Sequence, residues 1–152
     1  MNGIKLRGLG RCVPAQSVTN DDLAKTVDTS DAWITARTGI RSRYRCENET
    51  LTELCVSAAR DALRMAGITP ADIGGCIVAP VSADTVVPSA ACLLQRALGL
   101  PEDTPCFDLN AACTGFVYAL HTMECLLNAS PRKFGLVVGA EALSKVVDWT
   151  DR

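Results

Sequence analysis

A chain of 152 residues that is 48% hydrophobic and 21% charged can form one domain with an ordinary core and is too apolar for disorder. Its formal net charge of -2 exerts no overall pull on nucleic acid or an anionic membrane, and no run approaches the roughly 20 apolar residues of a membrane span. The eight cysteines, Cys12, Cys46, Cys55, Cys76, Cys92, Cys106, Cys113 and Cys125, include no Cys-x-x-Cys pair, which argues against a metal site. With no signal peptide and several cysteines in apolar patterns, a reduced, soluble, cytoplasmic protein is expected, with seven of the cysteines serving as core packing.

The elements follow from punctuation. A strand is expected near Ile4 to Cys12, a helix after Thr19 and a short helix from Ser30 to Thr38 ended by Gly39, followed by a basic loop holding Arg41, Arg43 and Arg45. Such a basic run is ordinarily a solvated face. Thr50-Leu-Thr-Glu53 is a capping-box pattern opening a helix whose apolar face carries Leu54, Ala58, Ala62 and Ala66, with Gly67 as the stop. Small residues on that face predict close packing. Pro70 starts a turn, Cys76 to Ala79 reads as a buried strand, and Ser89 to Leu98 as a helix ending at Gly99. Cys106 to Leu109 is a short strand, Phe116 to Asn128 a helix and Phe134 to Gly139 the last buried strand. This alternation predicts a layered α/β sheet with parallel strands.

Cys113 sits where the strand ending near Leu109 turns into a helix, so it falls at or near a helix N-terminus. Unsatisfied N–H groups and the helix dipole there favour a thiolate, and backbone donors at such a turn can hold an oxyanion. Ala111, Ala112 and Gly115 leave room for a substrate to approach the sulfur. A free cysteine is also often a small buried hydrophobe, and on local chemistry the two readings are nearly even.

The stretch Asp108-Leu-Asn-Ala-Ala-Cys113-Thr-Gly-Phe116 resembles the active-site elbow of the thiolase superfamily, and of β-ketoacyl-acyl carrier protein synthase III in particular. Thr19-Asn-Asp-Asp-Leu23, Ser30-Asp-Ala-Trp-Ile34, Arg37-Thr-Gly-Ile-Arg41, Pro88-Ser-Ala-Ala91, Gly139-Ala-Glu-Ala-Leu-Ser144 and Asp148 to Arg152 resemble that family in its order. The resemblance implies one half of a thiolase-like layered α/β fold, with residues 1–152 as the N-terminal domain carrying the nucleophilic cysteine and the C-terminal half absent. A fragment, a nicked protein or one of two chains is then expected.

The implied activity is an acyltransferase reaction. Cys113 takes an acyl group from acyl-CoA and condenses it with malonyl-acyl carrier protein as carbon dioxide leaves, starting fatty-acid synthesis. Alternatives are a related acyltransferase of polyketide or secondary metabolism, or a non-catalytic half-chain subunit. No metal or redox cofactor is implied; acyl carrier protein, the C-terminal half of the same enzyme and a second copy in a homodimer are the implied partners. The family's histidine and asparagine donors lie in its second half. His121 does not replace them: eight residues along one helix from Cys113 puts the two backbones about 12 Å apart.

By the same resemblance Trp33, Arg37, Arg152 and, more weakly, Thr29 contact CoA, with the adenine stacked between the Trp33 indole and the Arg152 guanidinium and Arg37 near the phosphates. Trp33 and Arg37 are one helical turn apart and can share a face. Val87 stands where the family often has a phenylalanine lining the partner's acyl pocket, so a roomier pocket for a longer or branched starter is expected. Glu141 and Ser144 are read as capping and positioning the loop that follows them, and Asp108 as bracing the elbow.

Overall fold

A computed structural model describes residues 3–151. The chain divides into two compact units, one of residues 1–12 with 50–141 and the other of residues 13–49 with 142–152. In chain order the strands and helices are β1 (Gln16–Thr19), α1 (Asn20–Leu23), α2 (Asp31–Thr38), β2 (Ser42–Arg45), α3 (Leu51–Ala66), β3 (Ile73–Ala79), α4 (Ala90–Leu98), β4 (Cys106–Asp108), α5 (Gly115–Ala129) and β5 (Phe134–Gly139).

The larger unit is the parallel α/β sheet that the alternation of patterns predicts. Its order is β4-β3-β5, and both pairings are parallel. All seven residues of β3 are buried, as a central strand covered on both faces requires. β3 begins three residues earlier than its sequence pattern suggests, because Gly74 and Gly75 sit at a register shift against β5 and do not read as strand formers. On one face α5 packs Ala119 and Met123 against Ile77 and Ala79, with Phe107, Leu109, Leu126, Leu127 and Val137 around them. α4 covers β3 and β4 on the other side and packs on α3, burying Ala90, Ala91 and Leu94.

The α3 N-terminus carries the predicted capping box: the Thr50 hydroxyl accepts from the Glu53 N–H while the Glu53 carboxylate accepts from the Thr50 N–H. Gly67 ends the helix at φ 66°, a left-handed conformation that a side chain would strain. The fully buried stripe is Leu51, Cys55, Ala59 and Leu63, one position beyond the predicted face. Leu54, Ala58, Ala62 and Ala66 are half-buried instead, because they line a groove beside residues 3–12.

That N-terminal segment is the main departure from expectation. Residues 4–12 form no strand ladder. They run along α3 so closely that a Cβ at Gly8 would collide with the Ala62 carbonyl oxygen and one at Gly10 with that of Ala58. The small residues of α3 thus do allow close packing, but of an irregular segment on a helix.

The smaller unit is built differently. β1 and β2 pair antiparallel, Gln16 opposite Arg45 through Thr19 opposite Ser42, so the basic stretch is a strand and not a loop. Arg43 is drawn into the structure rather than solvated: its guanidinium donates to the Val18 carbonyl (3.2 Å) and to Asn20 Oδ1 (2.6 Å). Asn20, 1% exposed, returns donors to Asp31 (2.8 Å) and to the Ile40 carbonyl (2.8 Å), knitting α1, α2 and β2 together. Arg45 lies over the Trp149 ring at 4.7 Å.

Three of the eight cysteines are buried, Cys46, Cys55 and Cys76; Cys12 and Cys106 are half-buried, and Cys92, Cys113 and Cys125 are exposed. The core-packing reading of seven therefore fails for Cys92 and Cys125, which lie on solvent-facing sides of α4 and α5, where apolar content alone does not define the buried stripe. None of the eight forms a disulfide. No group of three or more His, Cys, Asp or Glu side chains that could hold a metal ion occurs among the described residues, and no helix among them is long and apolar enough to cross a membrane.

Candidate active site

The elbow at Cys113 is a strand-to-helix turn. β4 ends at Asp108, and the Leu109 N–H still donates to the Val78 carbonyl at 2.8 Å, holding the chain beside the end of β3. The backbone then reverses through Ala111 and Ala112. Ala112 has φ 48°, a left-handed conformation that costs an L-residue on the order of 1–3 kcal/mol. Cys113 follows in a single 3-10 turn, Ala112–Thr114, immediately before α5. The Thr114 hydroxyl donates to the Ala111 carbonyl (2.8 Å) and Asn110 Oδ1 accepts from the Ala112 N–H (3.3 Å), so the turn is tied on both sides of the sulfur.

Gly115 is buried, and a Cβ there would press on the Ala79 side chain and the Leu109 carbonyl. The start of α5 therefore sits against the carboxyl ends of β3 and β4. Cys113 is presented, exposed, from the edge where open parallel α/β sheets place ligands.

The other cysteines of this unit are in different surroundings. Burial, with the Asp84 and Asp108 carboxylates adding to it, pushes the Cys55 thiol up to about 12. Cys76 and Cys106 face each other across the β3–β4 pairing. The Cys76 thiol donates a hydrogen bond to Cys106, which together with burial holds Cys76 far above the ordinary thiol range and moves Cys106 below it. Nothing in the sequence pattern indicated that pairing, since it follows from strand register. Cys106 nevertheless lies within a strand, whereas Cys113 lies at the elbow.

Three carboxylates organise the surrounding loops, and two of them act elsewhere than expected. Asp108 accepts from the Ala90 (2.9 Å) and Ala91 (2.8 Å) N–H groups, so it caps α4 rather than bracing the elbow. Glu141 accepts from the Val81 (2.7 Å) and Ser82 (3.2 Å) N–H groups and the Ser82 hydroxyl (2.7 Å), which are sixty residues before it rather than in the following loop. The end of β5 lies beside the end of β3, so a side chain there reaches the loop leaving β3 sooner than its own continuation. Asp84, which sequence reasoning missed, accepts from the Leu51 (3.0 Å) and Thr52 (2.9 Å) N–H groups at the start of α3. The 81–88 loop is thus fastened at Val81–Ser82 and at Asp84, and its tip exposes Val86 and Val87 almost fully.

His121 lies exposed on α5 with its Nδ1 3.9 Å from the half-buried Glu124 carboxylate, an i,i+3 neighbour consistent with a plain helix residue.

In the smaller unit, Ser30 and Gly39 bound α2 as predicted. The Arg37 guanidinium lies 4.2 Å from the centroid of the Trp33 ring, so the two share a face and one side of the indole is already covered. The Thr29 hydroxyl is shielded from solvent and has no hydrogen-bond partner among the described residues. Ser144, also read as a loop cap, accepts from the Cys46 N–H at 2.9 Å, and its carbonyl accepts from the Trp149 indole. Arg152 lies outside the described residues.

A family profile described as 3-oxoacyl-[acyl-carrier-protein (ACP)] synthase III matches residues 107–152, which include the elbow. The chain is 46% identical over all of its residues to a β-ketoacyl-[acyl-carrier-protein] synthase III of Clostridium acetobutylicum, covering 46% of that protein. The crystal structure of 3-oxoacyl-[acyl-carrier-protein] synthase III from Aquifex aeolicus superposes on 99% of the chain with TM-score 0.91 and 43% identity, covering 48% of that chain. The chain is similar to the synthases III over its whole length. It spans about half the length of the curated relatives it matches. The priming β-ketosynthase of the R1128 polyketide pathway has the same fold, with TM-score 0.88 and 33% identity over 97% of the chain. The thiolase-like half-fold expected from the sequence is thereby seen in its solved relatives.

Proposed function

We propose that this chain supplies the acyl-carrying half of a synthase III-type condensing enzyme. The observation that carries the reading is the elbow: an exposed cysteine after a left-handed Ala112, at the head of α5 and the carboxyl end of the sheet. The Cys113 thiolate attacks the thioester carbonyl of acyl-CoA, the tetrahedral oxyanion collapses, and the CoA thiolate leaves with acyl-Cys113 formed. Malonyl-acyl carrier protein then loses carbon dioxide, its enolate carbon attacks the acyl carbonyl, and the Cys113 thiolate departs. Donors for the enolate come from the remainder of the polypeptide.

Trp33, Arg37, Thr29 and Arg152 hold the nucleotide end of CoA. Support comes from the exposed Trp33–Arg37 stack, which offers one aromatic face and a cation, and from the Thr29 hydroxyl, which has no hydrogen-bond partner among the described residues. Val87, 84% exposed at the loop tip, contributes to the acyl pocket of a second copy. Acyl carrier protein, the rest of the enzyme and a homodimer partner complete the assembly, in the cytoplasm, with no metal or redox cofactor.

A second reading is favoured by the similarity to a polyketide priming ketosynthase: the same chemistry starting a polyketide rather than a fatty acid. Incubating the full-length enzyme with acyl-CoA and mapping the adduct by mass spectrometry tests the core of the proposal. Acylation confined to Cys113 and lost in Cys113→Ser is expected, with Cys92, Cys106 and Cys125 unmodified; an unacylated Cys113 overturns it. Val87→Phe shifting preference toward acetyl-CoA would support the pocket assignment, and an unchanged acyl-CoA preference would remove it.

A further inference from the structure

The smaller unit fastens its last segment with side chains. From Ala142 to Asp151 the chain makes a single 3-10 turn, Leu143–Lys145, and no strand. Only Ala142 in this stretch is buried, while Leu143, Val146 and Val147 are exposed, so apolar burial does little to fix its course.

Three contacts close a ring that ties the segment to the end of β2. The Ser144 hydroxyl accepts from the Cys46 N–H at 2.9 Å, and the Ser144 carbonyl accepts from the Trp149 indole N–H at 2.8 Å. The Trp149 ring in turn meets the Arg45 guanidinium at 4.7 Å. Arg45 and Cys46 are consecutive, so both ends of the ring stand on one point of the backbone. Ser144 and Trp149 are half-buried there.

β2 carries a second load. Arg43, two residues before Arg45 and therefore on the same side of the strand, donates to Asn20 Oδ1. Asn20 bonds Asp31, the first residue of α2, and the Ile40 carbonyl just beyond its end. α2 presents the Trp33–Arg37 stack. One four-residue strand is thus the mount for that stack and for the segment that runs on toward Arg152. A tether at Trp149 confines the next three residues to about 11 Å from it.

We infer that Trp149, with Ser144, is a positioning residue for the nucleotide end of acyl-CoA, holding the segment from Ala142 to Asp151 on the same support as the Trp33–Arg37 stack. The inference rests on the reading that Trp33, Arg37 and Arg152 hold that end of the substrate, and it adds residues that act through them. Fixing separate pieces of a site on one support removes an ordering cost from binding. The clamp therefore acts on KM for substrates that carry the nucleotide and leaves the thioester chemistry at Cys113 alone.

The full-length enzyme tests this with two substrates of one acyl chain: acyl-CoA, and S-acylpantetheine, which has the same thioester and lacks the nucleotide. Acetyl and butyryl chains are compared first, and the one that acylates Cys113 faster is used. Trp149→Ala should raise KM for acyl-CoA about tenfold with kcat little changed, and shift S-acylpantetheine by less than about twofold. Trp149→Phe keeps a ring for Arg45 and loses the indole donor, and Ser144→Ala loses the acceptor for the Cys46 N–H; each should raise KM for acyl-CoA about threefold. These two carry the test if Trp149→Ala does not fold. An acyl-CoA KM within about twofold of wild type in every folded variant, or an equal loss with both substrates, overturns the inference. Trp33→Ala separates the two ways of failing. If it alone raises KM for acyl-CoA selectively, the clamp is wrong and the nucleotide reading stands; if no variant does, the nucleotide reading falls and takes the clamp with it.

Discussion

The two units of this chain are held together by different physics. The sheet unit owes its order to apolar burial: Leu51, Ile73, Ile77, Val78 and Leu94 are almost entirely removed from water, and its polar devices are caps and loop clamps at its rim. Among its described residues the smaller unit buries only Val18, Asn20, Cys46 and Ala142, and its organising centre is an amide side chain rather than a hydrophobe. A packed core positions backbone turns rigidly, which suits the strained elbow that presents Cys113. A hydrogen-bonded scaffold suits a surface that presents an aromatic ring and cations.

That contrast can be broken most forcefully in the sheet. Ile77→Ala empties a fully buried position between β4, β5 and α5 and is expected to lower stability by about 2–5 kcal/mol, read as a drop in denaturation midpoint. Asn20→Ala is the matching experiment in the smaller unit. It removes the 2.8 Å donor to the Ile40 carbonyl and one of the two acceptors of the Arg43 guanidinium, leaving that guanidinium its bond to the Val18 carbonyl, and is expected to cost about 1–3 kcal/mol, with faster amide exchange in β1 and β2 and little change in β3. Exchange accelerated equally in both units would show that the polar scaffold and the apolar core are not separable.

The mildest probe is acid. Asp22 is held well below the usual carboxylate range by hydrogen bonds from Lys25 and Thr19; Asp31, bonded by Asn20 and Thr35, and Glu49, bonded first by the Ala15 N–H, are lowered too. Each has a folded value below its unfolded one, so its contribution is present above the unfolded value and is lost as pH falls toward the folded one. These groups are solvent-exposed, so the effect is small. Thermal midpoints should decline gently below about pH 4, with exchange rising first in the smaller unit. A flat profile from pH 6 to 3 would sever the link between those carboxylates and the unit's stability.

Local signals in this sequence were strong wherever a side chain acts on its own neighbours. Thr50 and Glu53, Ser30 with Gly39, and Ser89 each bound a helix where their spacing indicates, because capping is settled within three or four residues. Cys113 was legible for the same reason, as a turn between two short patterns. Partners across the fold were not. Glu141 reaching residues 81 and 82, Asp108 capping α4, and Cys76 donating to Cys106 all depend on which strands lie side by side.

The amino-acid sequence alone determined the layered α/β class, nearly every helix and the cysteine at the elbow, since periodicity and caps are local properties of the chain. Tertiary structure decided the rest. It left the expected first strand without a ladder, drew Arg43 into a polar network and made β2 out of a basic stretch, because hydrogen-bond partners far apart in sequence are chosen only when the backbone edges meet.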